Sequence, residues 1–314
     1  MSTTIASGRL PAPRAYRHDR SVWLAQCTLG LTLYTRHRAP EPAAGATRML
    51  SAFLEHAPRE RLRWMRTSLT DRWIALRDAE LERLSDELGA RGLDGKPRHL
   101  FELHLADRTD APLAFFPHRE VDAARGVGAG YIPLGLPPAD SAGDLFQLAM
   151  EAAHHVPHWW GTAGYQASMN PFDPCSAAST AWRWAKRYWG MDVQQPDRQR
   201  LRAAVGPTIV NWLTLVGRAL LGDAPDARDE IAARAADHGG SWMEGREGGL
   251  LRAAPEPTLA DTNWMESCAS YAEAQGLLRR FMRPAGRGVY GSFWDGDALS
   301  AWARRFVEPE GWVR

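Results

Sequence analysis

Glu151, His154, His155 and His158 are the residues whose types and spacing come nearest to a metal centre. Imidazole and carboxylate are ordinary ligands for zinc and related ions. Helical spacing would put Glu151 and His155 on one face and His154 near Glu151. The order departs from the HExxH pattern, which sets its glutamate beside the first of two histidines four apart. Pro157 also disfavours helical backbone at Val156, which breaks the pairing of His154 with His158. The plainer reading is a helix C-terminus carrying imidazoles, where positive charge is favourable. A nucleophile is harder to find. Cys175 precedes a helical stretch, and a helix N-terminus can lower a thiol pKa, but no base accompanies it, so it reads as a small packing residue. Gly126, Gly128 and Gly130 read as a turn entering a strand and not as a dinucleotide loop. Asp295 and Asp297 are either paired carboxylates or an ordinary helix cap. Neither a GxSxG elbow nor a phosphate loop occurs. No catalytic constellation is complete, so no catalytic residue, metal or cofactor is assigned.

Binding chemistry is better represented. Trp159, Trp160, Trp182, Trp184 and Trp189 fall within 31 residues. Tryptophan buries a large area and still carries an N–H that needs a partner, so this density means an aromatic core or an anchor surface. In the helix expected near 176–189, Ala178, Trp182, Ala185 and Trp189 have core spacing. Trp184 and Tyr188 occupy another face, flanked by Arg183 and Arg187. Tyr, Trp and Arg are the types enriched at interface hot spots. Trp184, Arg187, Tyr188, Trp159, Trp160 and Tyr165 are therefore the candidate partner-binding residues.

The elements that must position these residues follow from periodicity. Leu29, Leu31 and Leu33 alternate with Thr28, Thr32 and Tyr34, which marks a strand with one face buried. Residues 46–56 read as a short helix. Ser68-Leu69-Thr70-Asp71 resembles a capping box, opening a helix with Trp73, Leu76, Leu81, Leu84 and Leu88 toward a core. Residues 99–117 read as a β-hairpin and 130–136 as a further strand. Leu145, Leu148, Ala149 and Ala152 mark a helix begun by Ser141 and Asp144. Later, 208–216 is an apolar β-rich run, 227–236 is helical, 248–253 is a strand, and 266–282 and 296–306 are helical. Segregated hairpins and helices predict an α+β fold, antiparallel sheet with packed helices. The stretches 21–155 and 156–314 both read as strand, helix, short strands, helix, which fits an internally duplicated α+β unit.

The bulk numbers set the class. The chain has 314 residues, 45% hydrophobic and 24% charged, with a net charge of +1. That is a soluble globular composition with no global pull toward nucleic acid or membrane. Residues 1–100 carry 17 Lys/Arg against 11 Asp/Glu, while residues 101–314 carry 21 against 26. Three widely spaced cysteines form no disulfide framework and suit a reducing compartment. No apolar run reaches the roughly 20 residues of a membrane helix, and the N-terminus has no secretory h-region. Residues 1–20 are expected to be a disordered tail and 21–314 one domain.

Four segments together resemble a known family. They are Pro157-His158-Trp159-Trp160-Gly161-Thr162-Ala163-Gly164-Tyr165, Asn170-Pro171-Phe172-Asp173-Pro174, Ala185-Lys186-Arg187-Tyr188-Trp189-Gly190-Met191-Asp192-Val193 and Val210-Asn211-Trp212-Leu213-Thr214-Leu215-Val216-Gly217. The sequence resembles the TsiV-like type VI secretion immunity proteins, from about Trp23 to the closing Gly311-Trp312. The resemblance implies a cytoplasmic antitoxin of a Gram-negative bacterium. Such a protein binds a cognate effector encoded by an adjacent gene, most often a nuclease such as one with a VRR-Nuc domain, and covers its active site. It implies no catalysis, no direct nucleic-acid contact and no membrane. Two rival readings rest on residues alone: a metal-dependent hydrolase using Glu151, His154, His155 and His158, and a carbohydrate-binding module stacking sugars on Trp159, Trp160 and Tyr165.

Overall fold

The computed structural model describes residues 14–16, 22–37, 42–57, 59–67, 72–81, 101–109, 115–120, 128–138, 141–170, 174–193, 200–222, 225–284 and 296–313. Its centre is β2 (Trp23–His37), fifteen residues long. Cys27, Leu29, Leu31 and Leu33 alternate with Gln26, Thr28, Thr32 and Tyr34, and all eight are buried. The alternation predicts one wet face, but the strand is covered on both. Gln166 lies across Gly30, where a Cβ would stand 1.8 Å from its Nε2. That amide donates to the Leu134 carbonyl at 3.1 Å. Gly30 is thus the space in which a buried amide can lie flat.

Strands pair antiparallel on either side of β2. On one edge it bonds to β8 (His158–Met169), from Ala25↔Met169 to Thr35↔His158. On the other it bonds to β7 (Gly128–Leu136) and, at its start, to β1 (Arg14–Tyr16). β7 leads outward through β6 (Phe115–Glu120), β5 (Phe101–Ala106), β3 (Trp64–Thr67) and β4 (Ile74–Ala75). β8 leads through β9 (Leu213–Gly217) and β11 (Gly248–Arg252) to β10 (Ser241–Glu244). Strands from 21–155 and from 156–314 therefore occupy opposite sides of one sheet and meet at the β2–β8 seam. Helices and antiparallel strands make this an α+β fold.

Helices close the apolar face. α1 (Pro42–His56) packs on α2 (Ala142–His155), and α2 crosses β2, β8, β9 and β11. α2 buries Leu145, Leu148, Ala149, Ala152 and Ala153. It stops at Val156, whose backbone is extended (φ −115°), as expected for a residue before proline. α3 (Pro174–Arg187) lies on β2 and β8 through Ala177, Ala178, Ala181 and Ala185, small side chains that let the helix approach closely. On the opposite face the short 3-10 turn Arg200–Val205 brings Ala203 against Tyr34 and Trp160. The remaining helices are α4 (Arg218–Leu221), α5 (Pro225–Asp237), α6 (Ala269–Leu277), α7 (Gly296–Ala303) and α8 (Pro309–Val313). Among the described residues no helix is long and apolar enough to cross a membrane.

Several expectations shift. Residues 14–16, placed in the tail, form β1 against the start of β2. Ile74 and Ala75, placed inside a helix, pair with Met65 and Trp64 instead. Ladder bonds to β3 outweigh helix propensity there, and helix begins only at Asp78. The capping box at Ser68–Asp71 and Leu84–Leu88 lie outside the described residues, as do Gly126 and Asp295. Gly128 and Gly130 lie within β7 itself.

Candidate functional site

The outer side of α3 is where binding-type residues reach the surface. Cys175, Ser176, Ser179, Thr180, Arg183 and Trp184 form one wall of an open cleft of about 740 Å³, with Ala15, Tyr16 and Leu24 opposite. Cys175 is exposed in the first turn and not packed as its sequence context implied. The inner cysteines behave differently: burial pushes the Cys27 and Cys268 thiols up to about 12.

At its C-terminal end α3 meets a loop around the 3-10 turn Thr262–Trp264. Asp261 is its keystone. Its side chain, 2% exposed, accepts Arg187 Nε at 3.1 and 3.0 Å and Nη2 at 2.8 Å. The same carboxylate caps the turn by accepting the Asn263 N–H at 3.0 Å, and the Asp261 N–H donates to Glu266 at 2.9 Å. Charge-assisted, bidentate pairs of this kind are the strong ones. The carboxylate raises the Arg187 pKa further. A backbone bridge joins Tyr188 to Asp261, and the Gly190 N–H donates to Leu259 at 2.8 Å. Gly190 is required here, since a Cβ would stand 1.8 Å from the Thr258 carbonyl oxygen. Trp264 and Met265 project from this base.

The six candidate contact residues separate. Trp160 is wholly buried against Tyr34, with ring centroids 4.4 Å apart. Tyr165 and Tyr188 are buried too, and burial raises the pKa of both phenols. These three form core and offer a partner no surface; Tyr188 is drawn inward because Tyr188–Val193 runs between β8 and the 258–261 segment. Trp159 is half-buried under the Arg36 guanidinium, 5.0 Å from its ring. Trp184 lines the cleft, and Arg187 keeps 44% of its side chain exposed beside Asp261. With Trp160 and Tyr165 inside the sheet, the stacking platform for sugars does not exist.

Nor do the histidines converge. Glu151 accepts Arg48 at 2.8 Å and lies 3.7 Å from His155. His158 is buried in β8, its Nδ1 2.7 Å from the Val156 carbonyl oxygen, and burial pulls its pKa down to about 4. His154 and His155 end α2 with ring centroids 6.1 Å apart. Among the described residues no group of three or more His, Cys, Asp or Glu is placed to hold a metal ion.

The profile of a family described as TsiV, type VI immunity for VRR-NUC, matches residues 47–306. The chain belongs to the TsiV family. It is a type VI immunity protein by that membership. This TsiV chain also shares its fold with a Pseudomonas aeruginosa T6SS protein, PA0821. The TM-score is 0.78 at 17% identity, covering 96% of this chain and 90% of that one. A comparison with curated proteins finds no significant match. The sequence reading missed the Asp261–Met265 loop of this TsiV protein. Its available signal was Asp261-Thr262-Asn263, turn-forming residues, followed by Trp264-Met265, an apolar pair with no periodic companions.

Proposed function

We propose that this TsiV protein binds a nuclease effector of the VRR-Nuc kind, encoded by an adjacent gene, and inhibits it in the cytoplasm by covering its active site. The match of the immunity family across residues 47–306 carries the reading. The chain acts stoichiometrically and not as an enzyme. The residues best suited to chemistry support this: Glu151 is engaged by Arg48 and His158 is sealed inside the sheet. Trp184 and Arg187, on the outer side of α3, form part of the effector-facing surface; Trp159, beside Arg36 at the other end of β2, stands apart from it.

Co-expression with the product of the neighbouring gene should restore growth and yield a stable complex. In a plasmid-degradation assay, cleavage should fall in proportion to added chain and stop near equimolar amounts. Excess DNA should relieve inhibition if the active site is covered. No binding to any adjacent-gene product would overturn the reading. Inhibition by far less than one chain per nuclease would point to catalysis instead.

A further inference from the structure

Among the described residues the exposed large apolar side chains are Tyr16, Val205, Trp264, Met265 and Val307. Two are consecutive, and they are the most exposed: Trp264 at 64% and Met265 at 92%. Both side chains leave most of their apolar area in water, where it contributes little to folding. The loop is nevertheless built with care. Ala260 and Met265 have left-handed backbone, φ 52° and 55°, which residues with a Cβ adopt only when their surroundings hold them. The holding groups are the Arg187–Asp261 pair, the Asp261 cap on Asn263 and the Glu266 carboxylate on the Asp261 N–H. Strain of this sort, kept at the surface and fixed by a buried carboxylate, belongs to binding loops. A preorganised aromatic anchor also loses little entropy when it is captured.

We infer that Trp264 and Met265 are the anchor by which this protein grips its effector, an inference that rests on the immunity reading above. The loop contacts α3, so the anchor continues the surface that carries Arg187, Arg183, Trp184 and the cleft. Trp, Met and Arg are the types over-represented at interfaces. An acidic surface is the obvious alternative for meeting a nuclease. Two carboxylates in that region are met by arginines: Glu230 of α5 by Arg234 and Arg280, and Glu244 of β10 by Arg228. The occupant that fits Trp264 and Met265 is a protein surface with an apolar pocket for the indole and thioether. Carboxylates at its rim would meet Arg183, which is exposed. Nucleases that hold metal ions present such carboxylates around the site that an inhibitor must cover.

The test is titration calorimetry of the purified effector against wild-type chain, Trp264→Ala, Met265→Ala and the double variant. Val205→Ala and Val307→Ala serve as exposed apolar controls. Trp264→Ala is expected to weaken binding by at least about tenfold, the double variant further, and the controls by less than about twofold. The melting temperature should hold in Met265→Ala, whose side chain is 92% exposed, so that affinity lost there reports binding alone. Wild-type binding that the double variant retains would overturn this inference alone. No wild-type binding would overturn the immunity reading as well. If the chain sediments as a dimer that Trp264→Ala splits while effector affinity holds, the anchor belongs to a second copy and the inference falls.

Discussion

At the scale of single residues, His158 makes stability depend on pH. Its folded pKa is about 4, below the ordinary 6.5, because burial penalises the imidazolium. The unfolded chain therefore binds this proton first on acidification. The contribution is complete above about pH 6.5, declines as pH falls toward 4 and is flat below. The full difference is about 3 kcal/mol, as an order of magnitude. Urea titrations between pH 7 and 4 should show the decline, and His158→Gln should remove much of it; equal slopes would sink the assignment. The cysteines give a second check. Cys175 is exposed and the other two are buried, so Ellman's reagent should titrate one thiol in buffer and three in guanidinium. Two or more fast thiols in buffer would contradict the packing of Cys27 or Cys268.

At the scale of elements, the C-terminal half of α3 is held by groups far away in sequence. Lys186 stacks its ammonium on Trp182 and Trp312, at 5.1 and 4.0 Å from the ring centroids, and donates to the Trp312 carbonyl. Trp182 and Trp312 meet edge to face at 5.0 Å. Trp312→Ala should cost about 3–5 kcal/mol in denaturant unfolding; a loss under about 1 kcal/mol would mean that α8 is not docked. Gly190→Ala should destabilise by about 1–3 kcal/mol through overpacking. It should also weaken effector binding, since the collision with Thr258 displaces the loop bearing Trp264. Normal affinity in that variant would separate the loop from the interface. Elements with one clean period were legible in sequence: α2 from Leu145, Leu148 and Ala152, and the β5–β6 hairpin from Phe101, Leu103 and Leu105. β8 was not. Buried on both faces and carrying Gly161, Thr162 and Gly164 among its aromatics, it shows neither alternation nor a simple apolar run. The Trp block was legible as a family mark, but burial decided which of its members are core, and periodicity cannot count covering layers. Trp264 escaped because a loop anchor has no period at all.

At the scale of the whole molecule, one sheet collects strands from both ends of the chain, and the family match points to a partner-binding protein. The predicted complex places specificity outside the tryptophan-rich centre. Substitutions at Trp160 or Tyr165 should therefore lower stability and affinity together, whereas Met265→Ala, at the most exposed apolar side chain, should lower affinity alone. Paired melting and binding measurements on the same variants distinguish the two patterns. A variant of Trp160 that keeps its melting temperature but loses the effector would contradict the division.

The β2–β8 seam has a further consequence, in time. Thr32 meets Gln166 across 134 positions of sequence, and Asp261, beneath the anchor, is later still. A nascent chain holds β2 with its central edge unpaired until β8 has left the ribosome. At roughly 5–20 residues per second, that wait lasts many seconds, and such long-range pairing folds slowly in any case. A chain begun when an effector arrives is ready only after that interval, so finished molecules are the first to meet it.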